Sequence, residues 1–169
     1  MLSIGQLYQG LIVFWTTYFG VSWFFPTDQV ISRPNAKITH EKVVNRLTQN
    51  CLVTALMIPI LSYIPPILAF SSGWTAYLSK FILLPLIAEL WFYYMHRLMH
   101  HRFFYRWHAD HHAFIQPYAF AGLYCSPVEM VLINQMTIAL PCQLLGLSLI
   151  EIMLFSIGST YYLICWKEP

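Results

Sequence analysis

Charge is what this sequence has least of. Only 9% of its 169 residues are Asp, Glu, Lys or Arg, while 58% are hydrophobic. A soluble domain carries about 25% charged residues. So few charges cannot cover a globular surface, which excludes an ordinary soluble domain and points to a membrane protein. The formal charge is only +2, and no basic stripe runs along any face, which excludes a nucleic-acid partner. The cysteines Cys51, Cys125, Cys142 and Cys165 form no C-x-x-C pair, which argues against a disulfide framework and predicts reduced thiols. The first ten residues hold no Lys or Arg and are followed by no small-residue cleavage site. They predict a retained membrane helix rather than a signal peptide.

Long apolar runs are abundant. A spanning helix needs about 20 mostly apolar residues. Candidate membrane helices lie at 7–25, 51–70, 74–95, 128–146 and 148–166. The second is interrupted by Pro59 and Pro65–Pro66, which predicts a kink or break near its end. The last two are separated only by Gly146-Leu147-Ser148, as a helical hairpin would be. The predicted fold is all-α, a polytopic membrane bundle of about 4–5 apolar helices. Lys and Arg concentrate in 26–50, where Arg33, Lys37, Lys42 and Arg46 lie, at Arg97, Arg102 and Arg106, and at Lys167. An even number of crossings separates these segments, so all can face the cytoplasm. Thr39, ahead of His40-Glu41, reads as the N-cap of a short interfacial helix or as a plain polar linker.

Six of the seven histidines fall between residues 96 and 112. On a helix His96 and His100 are i and i+4 and share a face, and His108 and His112 repeat that spacing with His111 beside them. Two helix ends can thus present five imidazoles to one volume, a donor set that suits iron, zinc or copper. A ligating imidazole also needs an acceptor for its second nitrogen. Glu89 and Asp110 are candidates for that role, and an unpaired Glu89 would be costly within an apolar helix. Glu129 reads as such an acceptor, as a helix N-terminal charge after Pro127, or as a solvated group. His101, at i+5 from His96, points away and reads as interfacial. Trp91, Tyr93, Tyr94 and Trp107 read as an aromatic belt.

At these boxes the chain resembles the fatty acid hydroxylase / sterol desaturase superfamily. His96-Arg97-Leu98-Met99-His100 matches its H-x-x-x-H box, and His108-Ala109-Asp110-His111-His112 its H-x-x-H-H box, with the superfamily's short gap between them. Leu123–Glu129 is similar to the tract leading into the next membrane hairpin, with Ser126 where many members have histidine. Residues 33–50 resemble, loosely, the linker of the C4-methylsterol oxidase branch. The resemblance implies a non-haem iron centre, two irons when complete, held by His96, His100, His108, His111 and His112. It implies hydroxylation or desaturation of a membrane lipid with dioxygen. Electrons would come from NAD(P)H through a cytochrome b5-type donor or a reductase, at the cytoplasmic face of the endoplasmic reticulum membrane. No general base is expected beyond the metal ligands.

The superfamily also carries a third H-x-x-H-H box after its last hairpin, whereas no histidine follows His112 in this sequence. A C-terminally incomplete member is therefore expected. That leaves two alternatives to an active enzyme: a non-catalytic regulator or partner of a full-length relative, and a metal transporter. Transporters place their ligands near the bilayer midplane, whereas these histidines follow the end of an apolar run. Substrate and oligomeric state are not encoded in any motif.

Overall fold

The computed structural model describes residues 4–24, 31–32, 38–62, 65, 68, 73–116 and 123–165. Phe25, residues 63–64, 66–67 and 69–72, Trp166, and the basic residues Arg33, Lys37 and Lys167 lie outside them. Helices dominate: α1 (Ile4–Phe24), α2 (His40–Ser62), α3 (Trp74–Met99), the short α4 (Tyr105–His108), α5 (Pro127–Glu129), α6 (Met136–Leu144) and α7 (Leu149–Cys165). A π-helical turn, Met130–Gln135, joins α5 to α6 without a break. One departure from an all-α fold is a two-stranded antiparallel pair, β1 (Ile31–Ser32) with β2 (Phe114–Gln116). It ties the first connection to the chain immediately after the histidines.

Helix ends follow local chemistry. Thr39 caps α2, its Oγ1 accepting from Lys42 N at 3.3 Å. The helix then runs straight through Asn50 into the apolar run, so no separate interfacial helix forms. Pro59 sits within α2, which stops at Ser62, ahead of Pro65–Pro66. Gly73 opens α3 at φ 136°, a conformation that side chains with a Cβ rarely adopt. Gly146, at φ 58°, closes α6: Leu147 N donates to Cys142 O at 3.1 Å and Gly146 N to Gln143 O at 3.3 Å. Ser148 and Glu151 then cap α7 reciprocally, Ser148 N to Glu151 Oε2 at 2.7 Å and Glu151 N to Ser148 Oγ at 3.4 Å. Lys80 reaches the same turn from α3, 3.4 Å from Glu151 Oε1.

α1 packs on α2 and α7, and α3 packs on α6 and the π-helical turn. One apolar cluster (Leu84, Cys142, Leu145, Leu147, Ile152) joins α3, α6 and α7. A second (Trp15, Tyr18, Leu123, Cys125, Met130) seats α1 against the tract leading into α5. Among the described residues, α3 is the helix long and apolar enough to cross a membrane. Its 26 residues span ~39 Å, more than a bilayer's hydrocarbon core. It buries Ala76, Leu84 and Ala88 but leaves Leu78, Phe81, Ile82, Leu86 and Leu90 exposed, a face suited to lipid. Cys51, Cys125 and Cys142 are free thiols.

Candidate metal centre

The last turn of α3 carries His96 and His100 on one face, their Nε2 atoms 3.1 Å apart. The chain turns through 101–104, and α4 brings it back so that His108 is fully buried beside them. His108 and His112 are not on one continuous helix, since α4 ends at His108 and a 3-10 turn covers His111–Ala113. Their Nε2 atoms nevertheless meet at 2.9 Å. One ring nitrogen from each of His96, His100, His108 and His112 lies within 4.8 Å of all the others. A metal–imidazole bond is about 2.0–2.1 Å, which puts ligand nitrogens about 3–4 Å apart around one ion. The four imidazoles therefore fit a single metal ion with little movement.

His111 stands beside this quartet. Its ring stacks on that of His108, centroids 5.2 Å apart, and its Nδ1 lies 3.3 Å from Glu129 Oε1. The same oxygen is 3.0 Å from Nδ1 of His108. These are close polar approaches rather than aligned hydrogen bonds, because both Nδ1 atoms and Glu129 Oε2 remain without a hydrogen-bond partner. Of the three carboxylates considered as supports, only Glu129 touches the histidines among the described residues. Asp110 instead pairs with Arg46 of α2. Glu89 is exposed on α3 and makes no polar contact with a histidine.

Glu129 is delivered by a compact N-terminal motif. Ser126 caps α5, accepting from Glu129 N at 3.2 Å, and Pro127 occupies the first turn. Beneath it, fully buried Asn50 donates from Nδ2 to Leu123 O at 2.9 Å and Cys125 O at 3.1 Å. Across the π-helical turn, Trp91 Nε1 donates to Leu132 O at 2.8 Å, so Trp91 is a strut and not merely part of a belt. No motif in the sequence marks Asn50; its one signal is an amide placed immediately before an apolar run.

Burial, and then the neighbouring histidines, lower the pKa of His111 from 6.5 to about 4. The folded chain therefore binds fewer protons than the unfolded chain between these values, and stability rises with pH across that window. In the metal-free chain this contribution should be intact above pH 6.5 and lost as pH falls toward 4. Thermal unfolding of metal-free protein at pH 7 and pH 5 checks this, and an unchanged or higher midpoint at pH 5 would refute it.

The five clustered histidines and Glu129 all lie within a stretch that matches a known family. Residues 81–168, more than half of the chain, match the sequence profile of the fatty acid hydroxylases, and the chain belongs to the fatty acid hydroxylase family. It is similar to sphinganine C4-monooxygenase 1 of Arabidopsis thaliana, 38% identical over 71 residues, 41% of this chain and 27% of that protein. It is 35% identical over 84 residues to fatty acid hydroxylase domain-containing protein 2 of Homo sapiens, 48% of this chain and 25% of that one. With methylsterol monooxygenase 1 of Gallus gallus it shares 31% identity over 62 residues, 36% of this chain and 21% of that one. The chain thus spans about a quarter of the length of these curated relatives. No solved structure matches it.

Proposed function

We propose that this chain is the histidine-box portion of a membrane-bound, iron-dependent oxidoreductase that hydroxylates or desaturates a lipid. The observation that carries this reading is the convergence of four imidazoles with Glu129 set behind two histidine rings. His96, His100, His108 and His112 would hold the metal, with His111 at its margin. Iron, when bound, supplies the redox chemistry with dioxygen that these side chains lack. Glu129 takes the Nδ1 side of His108, which leaves Nε2 free to face the centre. Full burial of His108 keeps water from its ring.

In this reading the apolar helices cross the endoplasmic reticulum membrane, and the basic segments hold the histidines at the cytoplasmic face. Lipid enters from the bilayer, and electrons arrive from NAD(P)H through a cytochrome b5-type donor or a reductase. Relatives named for sphinganine and for methylsterol support a lipid substrate, sterol or acyl-chain.

The test is metal content per polypeptide, iron and zinc, in detergent-purified chain, with His108→Ala as control. About one to two irons per chain, reduced at least tenfold by the substitution, is the expected result. Metal content that the substitution leaves unchanged would overturn the assignment. A metal-free chain would favour the non-catalytic reading, a regulator or partner of a full-length relative.

A further inference from the structure

The first turns of α2 lie outside the stretch that matches the family profile, yet they touch both halves of the metal centre. Val43, Arg46, Leu47 and Asn50 follow the i, i+3, i+4, i+7 spacing that lines one face of a helix. Each meets a segment that builds or flanks the centre. Arg46 Nη2 makes an ion pair with Asp110 Oδ2, inside the second histidine box. Val43 packs with Phe114, just past that box, and with Tyr124, the two rings meeting edge to face at 5.4 Å. Leu47 closes against the same cluster. Asn50, one turn beyond Arg46, holds the carbonyls of Leu123 and Cys125 on the way to Glu129.

Asp110 is a sensitive point at which to hold the chain. It opens the 3-10 turn that carries His111 and His112, its carbonyl accepting from Ala113 N at 3.1 Å. It also stands two residues after His108. A shift at Asp110 would therefore move His108 and His112 relative to His96 and His100, which ride on α3. The Arg46 guanidinium is itself steadied by Gln49, Nη1 donating to Oε1 at 3.2 Å. Both side chains of the ion pair are partly exposed, so the pair adds little to overall stability and matters through its placement. We infer that Arg46 is a positioning residue for the metal centre. Through Asp110 it fixes the histidine turn to the same helix face that, through Asn50, fixes the Glu129 tract. The inference rests on the histidines being metal ligands, and adds that α2 sets how the two halves of their site meet.

The test uses the full chain in detergent with cobalt(II) alone as the probe, because its visible absorption reports coordination geometry. Arg46→Gln should weaken cobalt binding about fivefold and alter the visible band. The thermal midpoint of the metal-free chain should stay nearly where it was. Arg46→Lys, which keeps a charge opposite Asp110, should restore most of the affinity. Asp110→Asn reads the same contact from the other side should Arg46→Gln fail to fold, and the double variant should bind no more weakly than either single one. In the metal-free chain, Arg46→Gln should speed hydrogen exchange at the Ala113 amide by up to about fivefold and leave α3 unaltered. An unchanged affinity and band in Arg46→Gln, or an equal loss in Arg46→Lys, would overturn the inference. If the unsubstituted chain takes up no cobalt, the metal reading fails, and exchange alone decides: an unaltered rate at Ala113 then overturns the role of Arg46, and a faster one upholds it.

Discussion

Replacing Glu129 with glutamine is expected to weaken metal binding about 10–100-fold, although the carboxylate lies behind the ring nitrogens that face the centre. One oxygen of Glu129 approaches Nδ1 of both His108 and His111, at 3.0 and 3.3 Å. A carboxylate at that distance favours the proton on Nδ1 of either ring, which selects the tautomer with its Nε2 lone pair open and makes that nitrogen a better donor to a metal. An amide keeps the shape, but it is a weaker acceptor and presents an N–H on its other arm. Chelator competition against metal-loaded protein measures the change. Because Glu129 is 1% exposed, glutamine is preferred to a smaller residue that would also leave a cavity. An affinity equal to that of the unsubstituted chain would remove Glu129 from the site.

The second large effect is expected at Asn50. Leucine there would leave the carbonyls of Leu123 and Cys125 without the amide that now satisfies both. Each buried carbonyl so abandoned costs about 1–3 kcal/mol, so a loss of about 2–6 kcal/mol in unfolding free energy is expected. Denaturant unfolding in detergent measures it. Thr48→Ala, at an exposed position on the same helix, serves as the control and should stay within about 0.5 kcal/mol. The same substitution should weaken metal binding, because the tract that Asn50 holds leads directly into Ser126 and Glu129. If stability fell while affinity held, Glu129 would be positioned by α5 alone.

Helices are legible in the sequence where their determinants are local. Each apolar run contributes to a helix among the described residues, although α2 ends at Ser62, well short of Phe70, and the short Gly146-Leu147-Ser148 connection is built by a glycine C-cap and a serine–glutamate capping box. The i, i+4 spacing of His96 and His100 became a shared face because α3 extends past Met95 to reach them. His108 and His112 meet by another route, through a turn and a 3-10 segment, so the spacing indicated proximity without its cause. The supporting carboxylate could not be chosen by inspection. Asp110 is adjacent to His111 in sequence yet faces Arg46, and Glu89 lies two turns from His96 on the exposed side of α3. Glu129, seventeen residues beyond His112, is the one that folding delivers. Such pairings depend on which helices pack together, and no local pattern encodes that.

The π-helical turn from Met130 to Gln135 gives the site an unusual sensitivity to chain length. A π turn spends about one residue more per turn than an α-helix. Removing a single residue from it would let the backbone close into α-helical winding, rotating Glu129 by about 100° relative to α6. The carboxylate would swing away from the histidines while every side chain at the centre kept its identity. Here residue number, as much as residue type, is part of the metal site.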